Sequence, residues 1–177
     1  YNVAATQQAI LISRKGHDIR PIGKIIDERS FVNAIIGLLA TGGSTNHTLH
    51  LPAMAAAAGI KLLWEDFADL SEVIPLLARV YPNGSADVNQ FHAAGGMSFI
   101  IGELLDAGLL DGTAKTVCGK NIFNYISEAT LGKSELLWKK TKSTTKNRYR
   151  NIAAARRSYD FVLIRRPPLF EGGHQAE

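Results

Sequence analysis

Two stretches of this chain place paired glycines beside side-chain donors. They are Gly42-Gly43-Ser44-Thr45-Asn46-His47 and His92-Ala93-Ala94-Gly95-Gly96, each just before a segment that reads as a helix. A helix N-terminus presents unpaired N–H groups and partial positive charge, and glycine lets an anion approach the backbone closely. Ser44, Thr45, Asn46, His47 and His92 add side-chain donors. That pattern suits an oxyanion such as a carboxylate or a phosphate. It equally suits plain punctuation, with Gly42 ending one helix and Ser44 or Thr45 capping the next. Spacing leaves both readings open. Neither stretch matches a Walker loop or a dinucleotide fingerprint.

The remaining reactive residues carry weaker signals. His47 and His50 stand three apart, without the four-residue spacing and intervening glutamate of a zinc protease helix. Asp66, Asp69 and Glu72 have the composition of a metal cluster, but Asp69 with Glu72 reads more simply as a helix cap. Cys118 has no cysteine partner and reads as a small buried apolar residue. One cysteine excludes a disulfide framework and any all-cysteine metal site built within the chain. No metal ligand set and no catalytic residue is assigned to this segment.

The elements that must position these residues are mostly helices. Phe31, Val32, Ile35, Ile36, Leu38 and Leu39 share one helical face, with Asp27 or Ser30 as its cap and Gly42 as its stop. A second helix is expected from about Thr45 to Ala58, with Pro52 implying a kink or a later start. The run Ile60–Trp64 reads as a short buried strand, and Leu70, Val73, Ile74 and Leu77 as another helix. Pro82-Asn83-Gly84-Ser85 is a turn signal. Met97, Ile100, Ile101, Leu104 and Leu105 form the clearest stripe, closed by Gly108. Helices alternating with short apolar runs predict a helix-rich α/β fold.

The 177 residues carry a net charge of +4, and their composition, 46% apolar and 20% charged, is that of a globular protein. The charge is not evenly spread. Residues 1–132 hold 9 Lys/Arg and 12 Asp/Glu, whereas residues 133–177 hold 11 Lys/Arg and 4 Asp/Glu. The chain is therefore read as an acidic body, 1–132, and a basic tail, 133–177. Trp138, Tyr149, Tyr159 and Phe161 among the tail's cations give an alternative reading, a nucleic-acid-binding module. No apolar run approaches 18 residues and the start lacks a basic region before an apolar stretch, which argues against a membrane span or secretory signal.

Longer words of the sequence are more specific. Asn33-Ala34-Ile35-Ile36-Gly37-Leu38-Leu39-Ala40-Thr41-Gly42-Gly43-Ser44-Thr45-Asn46-His47-Thr48 resembles a signature of the dihydroxy-acid/phosphogluconate dehydratase family. So do Asp66–Leu76, Tyr81-Pro82-Asn83-Gly84 and Phe91-His92-Ala93-Ala94-Gly95-Gly96-Met97, and the likeness runs from about Arg20 to Gly119. His47, Ala93 and the Tyr-Pro-Asn-Gly turn resemble the branch acting on phosphorylated sugar acids. The amino-acid-biosynthetic branch usually has alanine and an acidic residue at the first two positions.

The resemblance implies part of a layered α/β N-terminal domain. It implies a hydro-lyase that removes water from 6-phosphogluconate to give 2-keto-3-deoxy-6-phosphogluconate, in the Entner–Doudoroff pathway. A 4Fe-4S cluster and an assisting Mg²⁺ belong to the family enzyme, along with a homodimeric, cytoplasmic state and no nucleic-acid partner. The family's cluster cysteines lie before this segment and its base in a domain after it, so the segment alone is expected to be inactive. Within it, the resemblance points to Gly42, Gly43, Ser44, Thr45, Asn46, His47, His92, Gly95 and Gly96 as substrate-binding residues. A different sugar acid, or a dihydroxy acid, is the alternative substrate.

Overall fold

The fold is organised around one helix, α3 (Glu28–Thr41), whose two ends are fixed by its own sequence. Asp27 accepts from the Ser30 backbone N–H at 3.2 Å, and the Ser30 hydroxyl accepts from the Asp27 N–H at 3.3 Å. Both residues singled out as caps therefore act together as a capping box. Burial alone pushes the Asp27 carboxyl up, but the hydrogen bond and charge of Arg29, with Ser30, outweigh it and hold the carboxyl below its ordinary range. At the other end Gly42 sits in the left-handed region at φ 56°. A Cβ there would also stand 2.9 Å from Asn83 Nδ2 and 3.0 Å from Leu76 Cδ1, so the position requires glycine twice over.

The computed structural model of the chain describes residues 2–131 and 136–140, apart from Arg14, Pro82 and Lys120. Its element order is α1 (Asn2–Ile12), α2 (Ile22–Ile25), α3, α4 (His47–Ala57), α5 (Trp64–Ser71), α6 (Val88–Ala93) and α7 (Gly96–Asp106). A 3-10 turn (Ile122–Ile126) and an antiparallel hairpin of β1 (Ser127–Leu131) and β2 (Leu136–Lys140) follow. The described part is thus helix-rich with one small sheet. The hairpin joins residues on both sides of position 132. Tyr149, Tyr159, Phe161 and the rest of the basic tail after Lys140 lie outside the described residues.

Helix α3 packs against α4, α5 and α7. The side chains it buries are Phe31, Ile35 and Ile36, which belong to the predicted apolar face, together with Asn33 and Ala40, which do not. The four apolar ones meet Leu51 and Ala55 of α4, Leu70 of α5, and Ile100 and Leu104 of α7. Leu109 and Leu110, just past Gly108, close the core from below. Gly108 stops α7 at φ 69°, as its position after the stripe predicts.

Helix α4 starts at His47, the later start that Pro52 allowed, and still holds Pro52 in its second turn. Three local expectations are corrected. Ile60–Trp64 is not a strand: residues 60–63 are irregular, and Trp64, largely exposed, opens α5. A short apolar run has no periodicity to separate the two outcomes. The helix expected around Leu70–Leu77 ends earlier, at Ser71, four residues before Pro75. Leu77 and Ala78 instead donate their N–H groups to the Ala40 carbonyl, at 2.7 and 3.0 Å. The cap of α5 is Asp66, which accepts from the Leu63 N–H at 2.8 Å, rather than Asp69 with Glu72.

Candidate functional site

The segment that crosses back after α5 builds the first glycine junction. Its residues Leu77 and Ala78 satisfy a carbonyl at the end of α3, and the Asn83 amide donates to the Gly42 carbonyl. The Tyr-Pro-Asn-Gly turn is thereby tied to the Gly-Gly-Ser-Thr-Asn-His stretch. Beyond Gly43 the chain turns into α4. The Ser44 hydroxyl accepts from the Asn46 N–H at 3.2 Å, and His47 Nδ1 lies 2.9 Å from the Ser44 carbonyl oxygen. Ser44, Thr45, Asn46 and His47 are all exposed. Their side chains thus reach solvent, which is where a dissolved ligand arrives.

The second junction joins α6 to α7. His92 stands at the end of α6, and Gly95 caps α7 at φ 118°. A Cβ on Gly95 would fall 2.7 Å from the Phe99 Cβ, so the turn has no room for a side chain. Gly96 is buried, and a Cβ there would meet His92 Nδ1 at 3.8 Å and Glu128 Oε1 at 3.9 Å. His92 Nδ1 lies 3.2 Å from Glu128 Oε1 on β1. The junction therefore already holds a carboxylate beside the start of α7. No sequence signal pointed to Glu128, because its approach depends on the hairpin folding back onto α7.

Between α3 and α7 lies an open cleft of about 550 Å³. It touches only the first junction directly. Gly43 and His47 line it from there, and Met97, the residue after Gly96, lines it beside the second. Ser44, Thr45, Asn46, His92, Gly95 and Gly96 are not among the residues that line it. Its apolar floor includes Leu51, Ile101 and Leu104. Its polar wall includes Ser30, Asn33, Thr41, Lys115 and Thr116. None of these five was singled out as a site residue from sequence, since they lie up to 86 positions apart along the chain.

The loop that carries Lys115 and Thr116 is held from three sides. The Asn33 amide donates to the Asp111 carbonyl at 3.0 Å and accepts from the Asp111 N–H at 2.9 Å. Arg29 donates to the Thr113 hydroxyl at 2.7 Å. Arg20 and Gln8 both donate to the Val117 carbonyl, at 2.9 and 3.3 Å. Cys118, expected to be buried, is exposed, and its sulfur accepts from the Tyr125 hydroxyl at 3.4 Å. Pinning Val117 from the α1 side turns the next side chain outward.

Burial pushes the Tyr125 phenol up to about 12, from an ordinary 10.0, with the hydrogen bond and charge of Cys118 adding to it and Thr116 opposing. A raised folded-state value means that the folded protein keeps the phenolic proton after the unfolded chain begins to lose it. The stabilisation is complete below pH 10 and is lost as pH rises toward 12. Urea unfolding across that interval should show stability falling more steeply in the wild type than in Tyr125→Phe. Equal slopes would show that Tyr125 does not carry the effect.

The donor chemistry here does not fit an iron–sulfur cluster or a tightly held metal ion. Among the described residues no three His, Cys, Asp or Glu side chains converge on a point, and the one cysteine is engaged by Tyr125.

The description "Dihydroxy-acid/6-phosphogluconate dehydratase N-terminal" matches residues 2–125, and the chain belongs to that family. Among its relatives, the phosphogluconate dehydratase of Rhizobium meliloti is 56% identical over 130 residues, 73% of this chain and 22% of the relative. That of Zymomonas mobilis is 55% identical over 137 residues, 77% of this chain and 23% of the relative. The dihydroxy-acid dehydratase of Prochlorococcus marinus is 38% identical over 119 residues, 67% of this chain and 21% of the relative. The chain thus spans under a quarter of the length of the relatives it matches. No described helix is long and apolar enough to cross a membrane.

Proposed function

We propose that this chain is the substrate-facing part of a phosphogluconate dehydratase. The reaction is loss of water from 6-phosphogluconate: the C2 proton and the C3 hydroxyl leave, and the resulting enol becomes the 2-keto-3-deoxy product. The observation that carries the reading is the gap between 50–56% identity to relatives named phosphogluconate dehydratase and 38% to one named dihydroxy-acid dehydratase. The substrate is anionic at both ends. The role of this chain is to bind and orient it at Gly42, Gly43, Ser44, Thr45, Asn46 and His47, with His92, Gly95 and Gly96 lining the neighbouring junction.

The proton acceptor and any 4Fe-4S cluster or Mg²⁺ are supplied from outside the described residues, by the rest of a homodimeric cytoplasmic enzyme of the Entner–Doudoroff pathway. Such a metal centre, when bound, offers an electrophile for the departing hydroxide. In a full-length enzyme carrying this segment, Ser44→Ala and Asn46→Ala should each lower kcat/KM by about three- to tenfold, the scale of one lost hydrogen bond. Unchanged steady-state kinetics in both variants would overturn the assignment of this loop.

A further inference from the structure

The cleft between α3 and α7 has a charge pattern that the loop assignment leaves unused. Lys115 and His47 line it, and among the described residues no Asp or Glu does. Among the described residues no ion pair or hydrogen bond engages the Lys115 ammonium. His47 is held by its contact with the Ser44 carbonyl. A carbonyl only accepts, so Nδ1 carries the proton and Nε2 is the ring atom left for a ligand.

The neighbouring hydroxyls complete the pattern. Thr41 Oγ1 donates to the Gly37 carbonyl at 2.7 Å, and Thr116 Oγ1 donates to the Gly119 carbonyl at 3.1 Å. Thr116 Oγ1 also accepts from the Gly119 N–H at 3.1 Å, so Thr41 Oγ1, its proton committed, is the oxygen whose lone pairs are left to accept from the hydroxyls of a polyol chain. The volume, about 550 Å³, falls within the range of small-molecule sites, about 300–1,000 Å³.

We propose that Lys115 and His47 bind the phosphate of a phosphorylated sugar acid in this cleft and set its preference over the unphosphorylated acid. The proposal rests on the substrate assignment above and adds Lys115, which that assignment does not contain. Both residues are exposed, so replacing them leaves the core intact.

Calorimetric titration of the 177-residue chain with 6-phosphogluconate and with gluconate tests it. The wild type should bind 6-phosphogluconate more tightly. Lys115→Met and His47→Gln should each weaken 6-phosphogluconate binding about five- to tenfold, the scale of one charge-assisted contact, and Lys115→Met should leave gluconate within about twofold. Lys115→Arg should retain the preference. Wild-type selectivity in both neutral variants overturns the proposal and leaves the substrate assignment standing. A wild-type chain that binds neither sugar acid overturns both. Equal weakening of the two ligands identifies a structural role and rejects phosphate recognition.

Discussion

Asn33→Ala should destabilise the protein by about 2–4 kcal/mol, and so lower Tm by roughly 6–12 °C, although Asn33 touches neither glycine junction. The side-chain amide is buried and makes two hydrogen bonds to the backbone of one residue, Asp111, 78 residues away. It behaves as a strand neighbour would, offering a donor and an acceptor in one plane. Alanine leaves the Asp111 N–H and carbonyl without partners in a place that water reaches poorly. Each unsatisfied buried group costs about 1–3 kcal/mol. Asn33→Leu separates this from cavity formation, because leucine fills the volume and restores neither bond. Urea unfolding followed by circular dichroism should find the two variants similarly destabilised. A leucine variant close to wild type would show that packing, and not the amide pair, sets the value.

The same substitution has a functional consequence. Asp111 begins the loop whose members Lys115 and Thr116 line the cleft. Arg29 and Thr113 hold that loop as well, through a 2.7 Å bond and the 2.6 Å contact of the Thr113 hydroxyl with Asp111 Oδ1. Loss of the Asn33 pair therefore loosens the loop without releasing it. Sugar-acid binding should weaken in Asn33→Ala even at temperatures where the protein remains folded.

These ties explain what the sequence made legible and what it did not. The cap at Asp27 and Ser30, the stop at Gly42 and the stripe from Met97 to Leu105 are local. Each depends on residues within one or two helical turns, so spacing is enough to find them. The resemblance carried the family assignment for the same reason, because a long run of matching residues is itself a local signal. Asn33 with Asp111, Asn83 with Gly42 and His92 with Glu128 join residues between 36 and 78 positions apart. No periodicity encodes those meetings. Lys115 was invisible as a cleft residue until the loop carrying it was seen folded against α3. Ile60–Trp64 failed in the opposite way: it has a strand's composition, but Leu63 and Trp64 are exposed and no neighbouring strand pairs with it among the described residues.

Leu104→Ala should cost about 2–5 kcal/mol, the range for truncating a leucine in a packed core. Leu104 is 1% exposed, in the core cluster that also holds Ile35 and Ile36 of α3, and it lines the cleft floor as well. Small domains have about 5–15 kcal/mol of total stability, so this loss takes a large share of it. Met97 gives the comparison. It lies on the same stripe and lines the same cleft, but it is 44% exposed, so Met97→Ala removes less buried surface and should cost under about 1 kcal/mol. The stripe thus divides by depth: Leu104 holds α7 in the core, and Met97 shapes the cleft. If so, chemical denaturation separates the variants by stability, and titration with 6-phosphogluconate separates them in reverse. Met97→Ala should change affinity with little change in unfolding midpoint, whereas Leu104→Ala should shift the midpoint strongly. Equal costs for the two would mean that α7 is not anchored through Leu104, and that the cleft has a softer floor than its packing indicates.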